Sequence, residues 1–185
     1  MLHGIVCDGM GGHSFGETAS ETVCNTISDF WKKHISTPDC DSKVKLACKK
    51  ASCAIDQKAF ELHHADMGAT MVMVSIEGDK ATIAHVGDSR CYLLRQGEGF
   101  LYQTEDHVRI DFGWEIVSRC FFSYRPEAAV PDIRQFAIQK GDRILLCSDG
   151  LYKSMSPGIL QARMLDDKPL EEILDVFDFL CQKTR

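Results

Sequence analysis

The chain has 185 residues, enough for one domain with a substantial core and short for two. Its formal net charge of −6 works against binding nucleic acid through a general positive field. No apolar run approaches the roughly 20 residues that span a bilayer, so a membrane role is excluded from the expectations too.

Residues 2–7 form a short apolar run that ends in a glycine cluster, the pattern of a buried strand entering a loop. From 15 to about 35, Phe15, Ala19, Val23, Ile27, Phe30 and Trp31 recur at helical spacing. Ser36-Thr37-Pro38-Asp39 breaks that helix, and a second runs from about 42 to 64 with Val44, Ala47, Cys48, Ala51, Ile55, Ala59 and Leu62 on one stripe. His63 and His64, at the end of this helix, are expected to face solvent or cap carbonyls. Residues 70–76 and 80–86 are rich in β-branched side chains and flank Glu77-Gly78-Asp79, a hairpin signal. Strands at 91–94 and 100–103 follow, and 133–138 with 143–148 read as another hairpin around Lys140-Gly141-Asp142. Leu170, Ile173, Leu174, Phe177, Leu180 and Cys181 return the tail to helix. The expected class is α+β, with helices set outside antiparallel sheet, in one domain over residues 1–185.

Nine cysteines contain no Cys-x-x-Cys pair, which speaks against a zinc ribbon or a thioredoxin-type site. Cys7 and Cys147 lie inside apolar runs and read as small core residues. Nothing at the start resembles a signal peptide, so a reducing cytoplasm is the expected compartment.

Asp8 closes one apolar run and Asp149 another, and each is followed by glycine. Buried strands ending in Asp-Gly can bring carboxylates together at one edge of a core, with carbonyls free to approach a ligand. Such hard oxygen donors suit Mg²⁺ or Mn²⁺ better than zinc or copper. Taken singly, each aspartate reads equally as a turn former or helix cap. Asp8-Gly9-Met10-Gly11-Gly12-His13 lacks the Lys and Ser/Thr of a Walker loop and the spacing of a dinucleotide fingerprint. Gly87-Asp88-Ser89-Arg90 invites a serine-hydrolase reading, but the last histidine is His107 and no Gly-x-Ser-x-Gly elbow exists. His85, alternating within a strand, reads as a satisfied core histidine.

Taken together, these blocks resemble the metal-dependent protein phosphatase 2C family of Ser/Thr phosphatases. The resemblance is carried by Asp8-Gly9-Met10-Gly11-Gly12-His13, Gly68-Ala69-Thr70, the run from Ile83 to Arg90, Thr104-Glu105-Asp106-His107, and the run from Gly141 to Leu151. It implies a β-sandwich with antiparallel helices on each side. It also implies that Asp8 bridges two metal ions with the Gly9 carbonyl beside it, that Asp149 ligates the second, and that Asp106 with Asp149 serves a weaker third. Mn²⁺ or Mg²⁺ would be the cofactor and a phosphorylated protein the substrate. His13 would contact substrate or assist the leaving group, while Asp88 and Arg90 would hold their turn together. The resemblance covers neither the family's first strands, with their Arg and Asn-Glu-Asp, nor its closing Asp-Asn step. The segment from Val108 to Val130 is short for the family's flap. A domain truncated at both ends is therefore expected, completed by a strand-donating partner or a second copy, or else reduced to a binding module.

Overall fold

A computed structural model describes residues 2–10, 13–38 and 41–183, with the side chains of His13, Ser14 and Lys183 outside the described set. Strand β1 (Leu2–Val6) leads through Cys7 and Asp8 into the two-residue β2 (Gly9–Met10). Helices α1 (His13–Lys33) and α2 (Asp41–Glu61) follow, close to the expected pair. Next come β3 (Gly68–Ala69), β4 (Met71–Glu77), β5 (Lys80–Val86), β6 (Arg90–Arg95) and β7 (Gly99–Gln103). The hairpin β8 (Val108–Asp111) and β9 (Trp114–Val117) precedes β10 (Phe121–Phe122), β11 (Asp132–Ala137) and β12 (Arg143–Cys147). Helices α3 (Asp149–Tyr152), α4 (Pro157–Met164) and α5 (Leu170–Lys183) close the order.

The side-chain alternation of the strands sorts the core into three layers. Met71 and Met73 of β4, with Ala84 and Val86 of β5, face Val23, Ile27, Trp31, Val44 and Ile55 of α1 and α2. The opposite face of the same strands, Val72, Val74, Ala81 and Ile83, packs with Cys91, Ile144 and Leu146. Beyond that sheet, Tyr92, Leu94, Leu145 and Cys147 meet Leu160, Met164, Ile173 and Phe177 of α4 and α5. The result is helices, sheet β1-β4-β5-β11, sheet β12-β6-β7, then helices, the expected sandwich with helices on both sides. Trp31 pins the first interface, its Nε1–H donating to Ser75 Oγ at 3.2 Å.

One pairing expected from sequence is corrected. The turn at 139–142 exists, with Asp142 N–H donating to the Gln139 carbonyl, but it does not make a hairpin. β11 pairs with β5 and β12 pairs with β6, so the chain crosses from one sheet to the other there. Asp142 explains the crossing: its buried carboxylate accepts both the Gln139 N–H and two bonds from Arg95 of β6, at 2.7 and 2.8 Å. β12 is thus anchored beside β6, and its run Ile144-Leu145-Leu146-Cys147 is apolar on both faces because both are covered. His64 is exposed, as expected, with its Nδ1 3.1 Å from the Tyr124 hydroxyl.

Candidate active site

Two chain reversals place the principal carboxylates. β1 delivers Asp8 beside the central sheet, where Thr70 grips it from both sides: Thr70 N–H donates to the Asp8 carbonyl (2.8 Å) and Asp8 N–H to Thr70 Oγ1 (3.2 Å). Ser89 Oγ sits 2.6 Å from Thr70 Oγ1 and is itself buried. Ser89, the residue that invited a hydrolase reading, therefore braces the strand that carries Asp8. β12 delivers Asp149 to the first turn of α3.

The Asp8 and Asp149 carboxylates lie close enough for each charge to act on the other. Burial first, and the neighbouring Asp149 charge next, hold the Asp8 carboxyl above its ordinary range, against a Gly9 N–H that favours its ionised form. Asp88 is drawn into the same field: burial and then Asp149 raise it, with Asp106 adding to the repulsion. Sequence reasoning had assigned Asp88 to its turn alone, and no local signal marks it as a third member of a carboxylate group. Lys153, one turn along from Asp149, donates to Asp149 Oδ2 at 2.7 Å. That bond is the main cause holding the Lys153 ammonium in its charged form, with the charges of Asp88 and of Glu115 on β9 adding to it.

The other expected site residues are placed differently. Gly9 lies in β2, in register with Ala69 of β3, directly after Asp8. Asp106 is bound by Arg90, with Nε to Oδ1 at 2.8 Å and Nη2 to Oδ2 at 2.7 Å. The same guanidinium stacks 3.6 Å over the Tyr152 ring of α3. Arg90 thus pairs with Asp106 rather than with Asp88, and it ties the Gly87-Asp88-Ser89-Arg90 turn to the helix bearing Asp149. His13 opens α1, and its side chain lies outside the described residues.

The oxygen-only set of Asp8, Asp149, Asp88 and the Gly9 carbonyl fits a hard divalent cation by its chemistry. Neighbouring carboxylates that repel one another gain from such a charge. A second group, His85, His107 and Asp132, offers three donors within 4.8 Å of one another. Its atoms are already engaged. His85 Nε2 lies 2.8 Å from the Glu105 carbonyl, His107 Nδ1 accepts the Gly87 N–H, and Arg119 reaches both His107 Nε2 (3.3 Å) and Asp132 (2.9 Å). The rings stack 4.4 Å apart at 20°, which keeps their in-plane lone pairs from converging on one ion. This group locks the Gly87 turn to β11, with His85 a core histidine as expected.

It also sets a pH response. Burial is the main cause lowering both His85 and His107 below the ordinary imidazole value. Between the lowered folded values and about 6.5 the unfolded chain binds more protons than the folded one, so stability is lost as pH falls through that window. Urea denaturation at pH 7.5 and pH 5.5 should show a lower midpoint at pH 5.5, and His85→Gln with its partner His107→Gln should flatten the difference.

Comparison with known proteins fits this geometry. The model of the family described as protein phosphatase 2C matches residues 1–183. The chain belongs to that family. It is 29% identical to the serine/threonine phosphatase stp of Listeria innocua, across 94% of this chain and 75% of that protein. The crystal structure of the serine/threonine phosphatase PstP/Ppp of Mycobacterium tuberculosis superposes with a TM-score of 0.82 at 25% identity, covering 98% of this chain and 82% of that one. A structure of the PstP catalytic domain in complex with two manganese ions superposes with a TM-score of 0.80 at 26% identity, covering 98% and 81%.

Proposed function

We propose that the chain hydrolyses phosphoserine and phosphothreonine in proteins, with Mn²⁺ or Mg²⁺ held by Asp8, Asp149 and the Gly9 carbonyl. The observation that carries this reading is the approach of Asp149 to Asp8, near enough to act on its carboxyl, from two strands more than 130 residues apart in sequence. When bound, such ions neutralise phosphoryl charge and make a bound water nucleophilic at neutral pH. Asp8, half-buried beside Asp149, would hold the ions together with it. Asp88 sits close enough to be felt by Asp149 and is the residue best suited to hold water in a metal's outer shell. Lys153 holds a positive charge 2.7 Å from Asp149 and would offer it to phosphoryl oxygens beside the ions. Arg90 holds α3 in position through Tyr152, and Asp106 holds Arg90. Asp106, bound by Arg90, would hold a third, weaker ion together with Asp149.

The whole chain, residues 1–185, is read as one phosphatase domain acting in the cytoplasm; among the described residues no helix is long and apolar enough to cross a membrane. A strand-donating partner or second copy would pair along β1 or β11, the outer strands of the four-stranded sheet. The test is phosphate release from a phosphothreonine peptide by the purified chain with Mn²⁺, with Mg²⁺, and with EDTA. Turnover with either metal and none in EDTA is expected. Turnover that survives EDTA sinks the metal assignment, and none from a folded sample moves the chain to the binding-module class.

A further inference from the structure

Two adjoining cavities carry charge that the phosphatase chemistry does not use. The first, of about 430 Å³, lies between α2 and the segment that runs from the turn at Pro126–Ala128 to Pro131. Lys45, Lys49 and Ser52 line it from α2, and Pro126, Val130 and Pro131 from the other side. The second, of about 480 Å³, shares Glu127 and Val130 with it and is lined by Arg119, Phe122 and Arg125. The outer wall is set in advance. Its two prolines fix their own φ, and Ala129 between them is buried in the core that α1 and α2 share with the sheet.

Four cations line these cavities against one carboxylate, Glu127. Arg119 is already held by Asp132 at 2.9 Å. Among the described residues, Lys45, Lys49 and Arg125 have no carboxylate within ion-pair distance. In a chain of net charge −6, unpaired positive charge gathered along one cleft favours an acidic occupant. Val130 lines both cavities and is 52% exposed, so the occupant carries apolar side chains as well.

We propose that this cleft is a docking groove for an extended segment of the phosphoprotein substrate in which acidic and apolar residues alternate. Its carboxylates pair with Lys45, Lys49 and Arg125, and its apolar side chains cover Pro126, Val130 and Pro131. Lys45 and Lys49 stand one helical turn apart, with a Cβ separation of about 6 Å. Same-side residues of an extended chain repeat at about 6.7 Å, so successive carboxylates meet successive lysines. The cleft ends near the reaction site. Arg119 Nη1 lies 3.3 Å from His107 Nε2, and His107 Nδ1 accepts the N–H of Gly87, the residue before Asp88. That the segment belongs to a substrate rests on the phosphatase reading; the recognition of an acidic chain does not.

The experiment is fluorescence anisotropy of the full chain with a labelled, unphosphorylated peptide alternating glutamate with leucine, beside the same peptide with lysine for glutamate. Binding of the first alone, weakened by added salt, is expected. Lys45→Glu with Lys49→Glu should weaken it at least about tenfold, and Val130→Asp should weaken it too. In Mn²⁺-dependent assays the double variant should raise KM at least about tenfold for a phosphothreonine peptide flanked by glutamates, with kcat unchanged. Its turnover of p-nitrophenyl phosphate, which has no flanks, should match the wild type and so report an intact fold. Equal binding of the two peptides, or equal binding by wild type and double variant, overturns the groove. Binding to phosphatidylserine vesicles through Lys45 and Lys49, without peptide binding, overturns it in favour of a membrane surface. Peptide binding with KM unchanged overturns the substrate as occupant. A wild type that turns over neither substrate counts against the phosphatase reading instead, and the anisotropy still decides the groove.

Discussion

Asp8→Asn should abolish metal-dependent hydrolysis and at the same time raise the melting temperature of the metal-free protein. The two effects have one cause. In the absence of metal, Asp8 is a half-buried carboxylate in the field of Asp149, and its raised pKa states that the folded protein disfavours its charge. For an acid whose folded value lies above its unfolded value, the folded state binds more protons between the two. Stability is therefore lost as pH rises through the folded value and stays lost at neutral pH. Asparagine keeps the shape and an oxygen acceptor for the Gly9 N–H, yet removes the charge. The metal-free variant should melt above the wild type at pH 7.5. Mn²⁺ should then stabilise the wild type and leave the variant unmoved. Hydrolysis should drop by more than about 100-fold, because losing even a group that orients a ligand costs 10–100-fold. A variant less stable than the wild type without metal, and still stabilised by Mn²⁺, contradicts the placement of Asp8.

Gly9→Ala should be among the most damaging single changes outside the carboxylates, and its damage should be to folding. β2 crosses the start of α1 with Gly9 laid against Gly16; a Cβ on Gly9 falls on the Gly16 backbone carbonyl, and one on Gly16 comes within 2.9 Å of the Gly9 oxygen. Both obstacles are main chain, so no side chain can turn aside. The cost expected from overpacking is about 2–4 kcal/mol, read as a lower urea midpoint with unchanged slope. Gly158→Ala in α4 is the control, since nothing lies within 4 Å of its added methyl; it should be neutral or stabilising by up to about 1 kcal/mol. Equal losses at both positions would contradict the close crossing of β2 and α1.

How far the sequence could be read depended on whether a feature was local. Asp8 and Asp149 were legible because each ends an apolar run and meets a glycine, and both facts lie within seven residues. The two long helices were legible from stripes that the structure buries almost residue for residue. Asp88 was not, since what makes it part of the site is the approach of Asp149, 61 positions away. The Arg90–Asp106 pair escaped for the same reason, spanning 16 residues and the two strands β6 and β7. At 139–142 the turn was correctly expected but its topology was not. A turn signal says that the chain reverses, and only the buried Asp142–Arg95 pair decides that the next strand joins the other sheet. β2, β3 and β10 hold two residues each, too few to show a period. The β8–β9 hairpin carried a readable sign in Phe112-Gly113, both at positive φ as a tight two-residue turn requires. Its exposed Ile110, Phe112 and Trp114 hid it, because no buried face generates the usual alternation.

The most direct test of the account is a crystal of the chain soaked in Mn²⁺, with anomalous scattering used to locate the ions. Peaks beside the Asp8 carboxylate, one of them shared with Asp149, are the predicted result. A map with no peak at Asp8 and Asp149, or with manganese at His85, His107 and Asp132 instead, would contradict it.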